Sequence, residues 1–165
     1  MATLTEAEAR TRAEAEVRAY CGWHIAPEVT EDVTLDGTGS RILLLRSLKV
    51  TDVASVTEDE ELVDPGDYQW SASGFLLRLG GACWTDKLRG VVVNLTHGHP
   101  SMPMDVEAVI ERMTARAVEV SGASQVLSQV GQVAYAVGVD GLRETGTSTQ
   151  ADRFVLDRHR LPFRP

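Results

Sequence analysis

Several familiar starting points are missing from this chain of 165 residues. It has two cysteines, Cys21 and Cys83, enough for one bridge and too few for a disulfide framework, so both are expected as reduced, mostly buried thiols. Aromatics make up only 5% of the residues, which leaves a core of Val, Leu, Ala and Ile. No apolar run approaches the length needed to cross a bilayer. Met1 to Glu6 carries neither a basic patch nor an apolar stretch, so a signal peptide is not expected, and a cytoplasm-like compartment is. There is no Gly-x-Ser-x-Gly elbow, no phosphate-cradling Gly-x-x-x-x-Gly-Lys and no dinucleotide fingerprint. The glycines act as punctuation, and no enzyme signature is found.

Positive charge is also in deficit, with a formal net charge of −8. Residues 27–100 hold twelve acidic against six basic side chains, whereas residues 101–165 hold eight against seven. Such a surface repels a nucleic-acid backbone and lacks the footprint of a tight DNA binder. It suits a wall past which DNA slides.

What is present is a change of rhythm. Thr3 with Glu6, and Thr5 with Glu8, both fit a capping box, and Ala9, Ala13, Val17 and Tyr20 then draw a narrow apolar stripe. This predicts a helix over 4–21, ended by Gly22, with Trp23 and Ile25 folding back on the core. From Val29 the period becomes two. Val33 and Leu35, the turn Asp36-Gly37-Thr38-Gly39 and Ile42 to Leu45 read as a hairpin. Val50, Val53 and Val56 lie in a β-branched stretch that runs into Glu58 to Glu61, a solvated loop. Asp64-Pro65-Gly66-Asp67 is a turn, and strands follow at Tyr68 to Ser71, Phe75 to Leu79 and Val91 to Thr96. Val106, Val109, Ile110, Met113, Ala117 and Val120 then mark a second helix, 104–120, started near Pro103 and ended by Gly122.

The uncharged run Gln125 to Val137 is either a buried hairpin or an arm that orders against a neighbouring subunit, and Gly138 to Ser148 reads as a mobile loop. A short helix restarts at Thr149-Gln150-Ala151-Asp152, runs to Leu161 and stops at Pro162. The fold class is α+β: a small helical bundle with a β-rich antiparallel insertion, 29–99, between its two main helices.

Three groups of residues invite chemistry. His97-Gly98-His99, with His24, Cys21 or Cys83 near, would make a metal site, though a plain turn into Pro100 explains the segment as well. The acidic clusters 58–61 and 64–67 lack the alternating spacing of a calcium loop. At the C-terminus Arg153, Arg158, His159, Arg160 and Arg164 interleave with Phe154, Leu156, Leu161 and Phe163. That mixture fits a solvated helix face, a phosphate contact or a docking peptide for an acidic partner, because aromatic and arginine anchors dominate interface energies.

The run Tyr20-Cys21-Gly22-Trp23-His24-Ile25-Ala26-Pro27 resembles the opening of head-to-tail adaptor (connector) proteins of tailed phages, especially those of actinobacteria. The likeness continues through Val33 to Gly37, Leu43 to Leu45, Val53 to Val56, Asp67 to Ser71, Trp84, Arg89 to Val93, Thr96 to Gly98, Asp105 to Val109, Arg112 to Ala117 and Phe154 to Pro162. It is weakest over 121–148.

The resemblance implies a single connector domain, 1–165, that is structural and not enzymatic, and that binds no cofactor or metal. It would form a twelvefold ring under the portal protein in the virion neck, with the next neck or tail protein (stopper or tail terminator) on its far side. DNA would pass through the channel without sequence-specific binding, and no membrane would be involved. Val17, Tyr20, Trp23, Val106, Val109, Ile110, Met113 and Ala117 would be the bundle core. Arg153, Phe154, Leu156, Arg158, His159, Arg160, Leu161, Phe163 and Arg164, within the segment 149–165, would dock on the portal. Gln125, Val126, Leu127, Gln129, Val130, Gln132, Val133, Tyr135 and Val137, in the arm 123–137, would pack between subunits or face the channel. The readings kept beside this one are another neck or tail-completion protein and a small metal-binding enzyme.

Overall fold

Ala9, Ala13, Val17 and Cys21 recur every four residues and are all buried, so one side of helix α1 (Glu6–Cys21) carries only small side chains, none larger than valine. In the computed structural model, which describes residues 4–129 and 148–162, that side packs on helix α2 (Met104–Gln129). Small side chains let two helix axes approach closely. The capping box falls on the second of the two candidate pairs: the Thr5 N–H donates to Glu8 Oε2 at 2.9 Å, and the Thr5 hydroxyl accepts the Glu8 N–H. Cys21, and not the half-exposed Tyr20, takes the last inward position of the stripe.

α2 buries Val106, Val109, Ile110 and Met113 and does not stop at Gly122. Glycine ends a helix only where the backbone leaves the right-handed region. Kept inside one, it costs about 1 kcal/mol relative to alanine. Helix α3 (Gln150–Leu156) and a 3-10 turn at Asp157–His159 complete this compact unit, which spans Met1–Cys21 and Pro103–Arg160.

The second compact unit, Gly22–Met102 with Leu161–Pro165, is built on two antiparallel sheets. Strands β1 (Val29–Leu35), β3 (Val50–Glu58), β4 (Glu61–Leu62) and β7 (Val91–His97) form one, in the order β1-β7-β3-β4. The other comprises β2 (Ile42–Leu44), β5 (Tyr68–Ser71) and β6 (Phe75–Arg78), in the order β2-β6-β5. β7 alternates strictly, with Val91, Val93, Leu95 and His97 inward.

Its partner β3 buries Val50, Val53 and Val56, a spacing of three that a regular strand would place on opposite faces. Two register shifts resolve the conflict. Thr51 and Ala54 are extra residues, so the three valines lie opposite His97, Leu95 and Val93. Both sheets close on one cluster that includes Leu35, Leu43, Leu76 and Trp84 with Val50, Val53 and Val56 of β3 and Val91, Val93 and Leu95 of β7. Burying a valine- or leucine-sized side chain contributes about 2 kcal/mol. Arg78 of β6 also pairs with Glu58 of β3 at 3.5 Å and lies over the Trp84 ring.

The expected hairpin between residues 33 and 45 does not form. β1 pairs with β7 and β2 with β6, in different sheets. The connecting turn spends its N–H groups elsewhere, from Gly37 to the Lys87 carbonyl and from Gly39 to that of Thr85. A second correction concerns the loop expected at 58–61. Glu58 lies opposite Glu61, so Asp59-Glu60 is a two-residue hairpin turn with φ of 51° and 72°. Mirror-image turns of this kind favour Asn-Gly, and each non-glycine residue costs about 1 kcal/mol there.

The turn between β5 and β6 follows expectation. Gly74 has φ of 83°, and a Cβ on it would stand 2.0 Å from the Ser47 carbonyl oxygen. Of the two thiols, Cys21 is buried but Cys83 is exposed, because it follows the Gly80-Gly81 bend outside any strand.

Candidate functional site

The C-terminal basic segment divides into a face held by its own unit and a face left to solvent. Thr149 caps α3: its hydroxyl accepts the Asp152 N–H, and Asp152 Oδ2 accepts the Thr149 N–H at 3.1 Å. The same carboxylate, 1% exposed, receives two arginines from successive turns of α2. Arg112 donates to Oδ1 through Nε at 3.1 Å and Nη2 at 3.0 Å, and Arg116 donates to Oδ2 at 2.5 Å. Burial alone would raise the Asp152 pKa. The hydrogen bonds from Thr149, Arg112 and Arg116 outweigh that and hold it below the usual carboxylate range.

Leu156 is fully buried, and its carbonyl lies 3.8 Å from Cys21 Sγ. The Tyr20 hydroxyl donates to Asp157 Oδ1 at 2.7 Å, which raises the phenol pKa, and Arg160 lies over the Tyr20 ring at 5.3 Å. His159 Nε2 meets Asp105 Oδ2 at 2.9 Å, and that hydrogen bond lowers the Asp105 pKa. Asp152, His159, Arg160 and Leu156 thus latch the segment to α1 and α2.

Arg153, Phe154 and Arg158 remain outside. Phe154 is 69% exposed, with the Arg158 guanidinium over its ring at 5.8 Å. An aromatic ring beside two exposed arginines is the chemistry of an interface anchor. Leu161 falls in the β unit, and Phe163 and Arg164 lie outside the described residues. Sequence reading missed Asp152, Arg112 and Arg116, whose i, i+4 pair on α2 was the available signal.

Val17, Val106, Val109, Ile110 and Met113, expected as bundle core, are buried in the helical unit, where Ala117 and Tyr20 are partly exposed. Trp23 is buried in the β unit, where its ring meets His99 at 6.2 Å. Within the expected arm, residues 125–129 continue α2, and Val130, Gln132, Val133, Tyr135 and Val137 lie outside the described residues.

The histidines come together only in part. His24 and His97 meet edge-on at 5.9 Å, and His97 Nε2 lies 3.0 Å from Glu31 Oε1. Among the described residues no three His, Cys, Asp or Glu side chains are grouped to hold a metal ion, and no helix is long and apolar enough to cross a membrane.

No protein-family model and no curated protein matches the chain. Solved structures do. A chain in the neck of a native GTA particle, computed with C12 symmetry, superposes with a TM-score of 0.57 at 14% identity, over 97% of this chain and 86% of that one. One in the neck of an empty GTA particle, computed with C6 symmetry, gives 0.57 at 17% identity, over 97% and 81%. A chain of the native gene transfer agent (GTA) virion gives 0.52 at 16% identity, over 97% and 80%. At such identities the likeness is one of fold, and it spans both units of this chain.

Proposed function

We propose that this chain is a structural, non-enzymatic subunit of the neck of a tailed, phage-like particle, serving as its head-to-tail adaptor. Copies close into a ring, twelvefold under this reading, beneath the portal protein. The ring continues the DNA channel and gives the next neck or tail protein its platform.

The observation that carries the proposal is the fold likeness to neck chains over 97% of the sequence. Two features fit it. The acidic balance of residues 27–100 lets DNA pass without being gripped. The outward face of α3, Arg153, Phe154 and Arg158, offers an anchor for a second polypeptide while Asp152 and Leu156 keep the helix seated.

The mechanism is geometric: one heterologous interface, repeated by rotation until it closes, creates the channel. α3 supplies the portal contact, and the described part of the arm, 123–129 at the end of α2, packs between subunits or faces the channel. The test is a particle reconstruction carrying a tagged copy of the chain. Density at the junction of head and tail is expected. Particles that join head to tail at the normal frequency without this chain would overturn the proposal.

A further inference from the structure

The three-stranded sheet carries its apolar residues on both faces. Inward, Leu43 and Leu76 belong to the core. Outward, the register sets Ile42 beside Leu77 and Leu44 beside Phe75, a contiguous four-residue patch in which Ile42 is 51% and Phe75 47% exposed. The outer face of an antiparallel sheet is ordinarily polar, and a grouped apolar face marks an interaction site. β2 is also an edge strand. Arg41 and Arg46 flank it, both exposed and neither paired to a carboxylate among the described residues.

The same unit presents the complement. At the β3–β4 hairpin Leu62 is 73% exposed on another edge strand. Glu60 and Glu61, exposed and without an ion pair among the described residues, stand next to it. One surface is apolar with a basic rim, and the other is an apolar tip with an acidic rim. Two different, mutually complementary surfaces on one chain are what a heterologous interface requires.

We infer that the outer face of the β2-β6-β5 sheet is the seat for the β3–β4 hairpin of a second copy of this chain, with Leu62 on the Ile42–Leu44–Phe75 patch and Glu60 and Glu61 opposite Arg41 and Arg46. The inference rests on the ring reading above and names the contact that propagates the ring.

Two charge-reversed variants test it by sedimentation velocity of the full chain, from micromolar to about millimolar concentration, where weak interfaces populate. In Arg41→Glu/Arg46→Glu and in Glu60→Arg/Glu61→Arg every contact between copies sets like charges together. Each variant alone is expected to associate at least tenfold more weakly than the natural chain. Circular dichroism should show both folded. An equimolar mixture restores opposite charges at every contact of an alternating ring, and association is expected to return.

Variants that associate like the natural chain, or a mixture that fails to recover, overturn the assigned contact and leave the ring reading intact. A natural chain that stays monomeric throughout overturns the assignment too, because the two surfaces then do not recognise each other. The neck proposal is decided separately, by the particle reconstruction.

Discussion

Asp152 ties α3 to α2 through a single carboxylate. It closes the α3 capping box and receives two arginines while buried. Asp152→Asn keeps the shape but loses the charge, leaving Arg112 and Arg116 facing a neutral amide. A loss of about 2 kcal/mol is expected, read as a lower urea midpoint at unchanged slope. Adding Arg112→Ala should cost less in the variant than in the natural chain, since the two residues share one interaction. Glu60 points the other way. It holds φ of 72° at a turn that glycine occupies without strain, so Glu60→Gly should raise the stability of the β unit by about 1 kcal/mol in the same measurement. That the chain keeps an acidic residue at position 60, against backbone preference, fits a use for its charge outside the isolated subunit.

At the scale of elements, α3 is a seven-residue helix too short to persist without its contacts. Its attachment depends on carboxylates. Asp152 and Asp105 both have lowered pKa values in the folded chain, the first through hydrogen bonds that outweigh burial, the second through His159. A lowered value means that the folded form binds fewer protons than the unfolded form, so stability rises with pH. Their contribution is fully present above the ordinary carboxylate value of about 4 and is lost as pH falls through the lower native values. Thermal unfolding followed by helical dichroism should show a midpoint that declines below about pH 4, with a shallower decline in Asp152→Asn. A midpoint equally acid-sensitive in the variant would remove Asp152 from the account.

For the whole molecule the decisive prediction separates folding from assembly. Arg153→Ala/Phe154→Ala/Arg158→Ala removes exposed side chains and leaves Asp152 and Leu156 in place, so unfolding should change by less than about 1 kcal/mol. Head–tail joining in particles carrying the variant should fall at least tenfold, counted as tailed against tailless particles. Joining at the natural frequency would move the portal contact off α3.

Much of this architecture could be read from residue order, because helix periodicity, capping and turn chemistry are encoded within a few positions. The Ala9-Ala13-Val17 stripe, the Thr5–Glu8 box, the helix start near Thr149 and the strands β5, β6 and β7 all follow from local pattern. Pairing does not. β1 joins β7 across more than fifty intervening residues, and the bulges at Thr51 and Ala54 exist only because β7 demands that Val50, Val53 and Val56 share a face. The same holds for the basic tail. Composition leaves it a solvated face, a phosphate contact or a docking peptide, and only long-range contacts from α1 and α2 separate Asp152, Leu156 and His159, which hold it, from Arg153, Phe154 and Arg158, which face outward. Local sequence sets what each segment prefers to be. Which of its faces meets the rest of the chain is settled by burial and charge pairing between segments far apart in sequence.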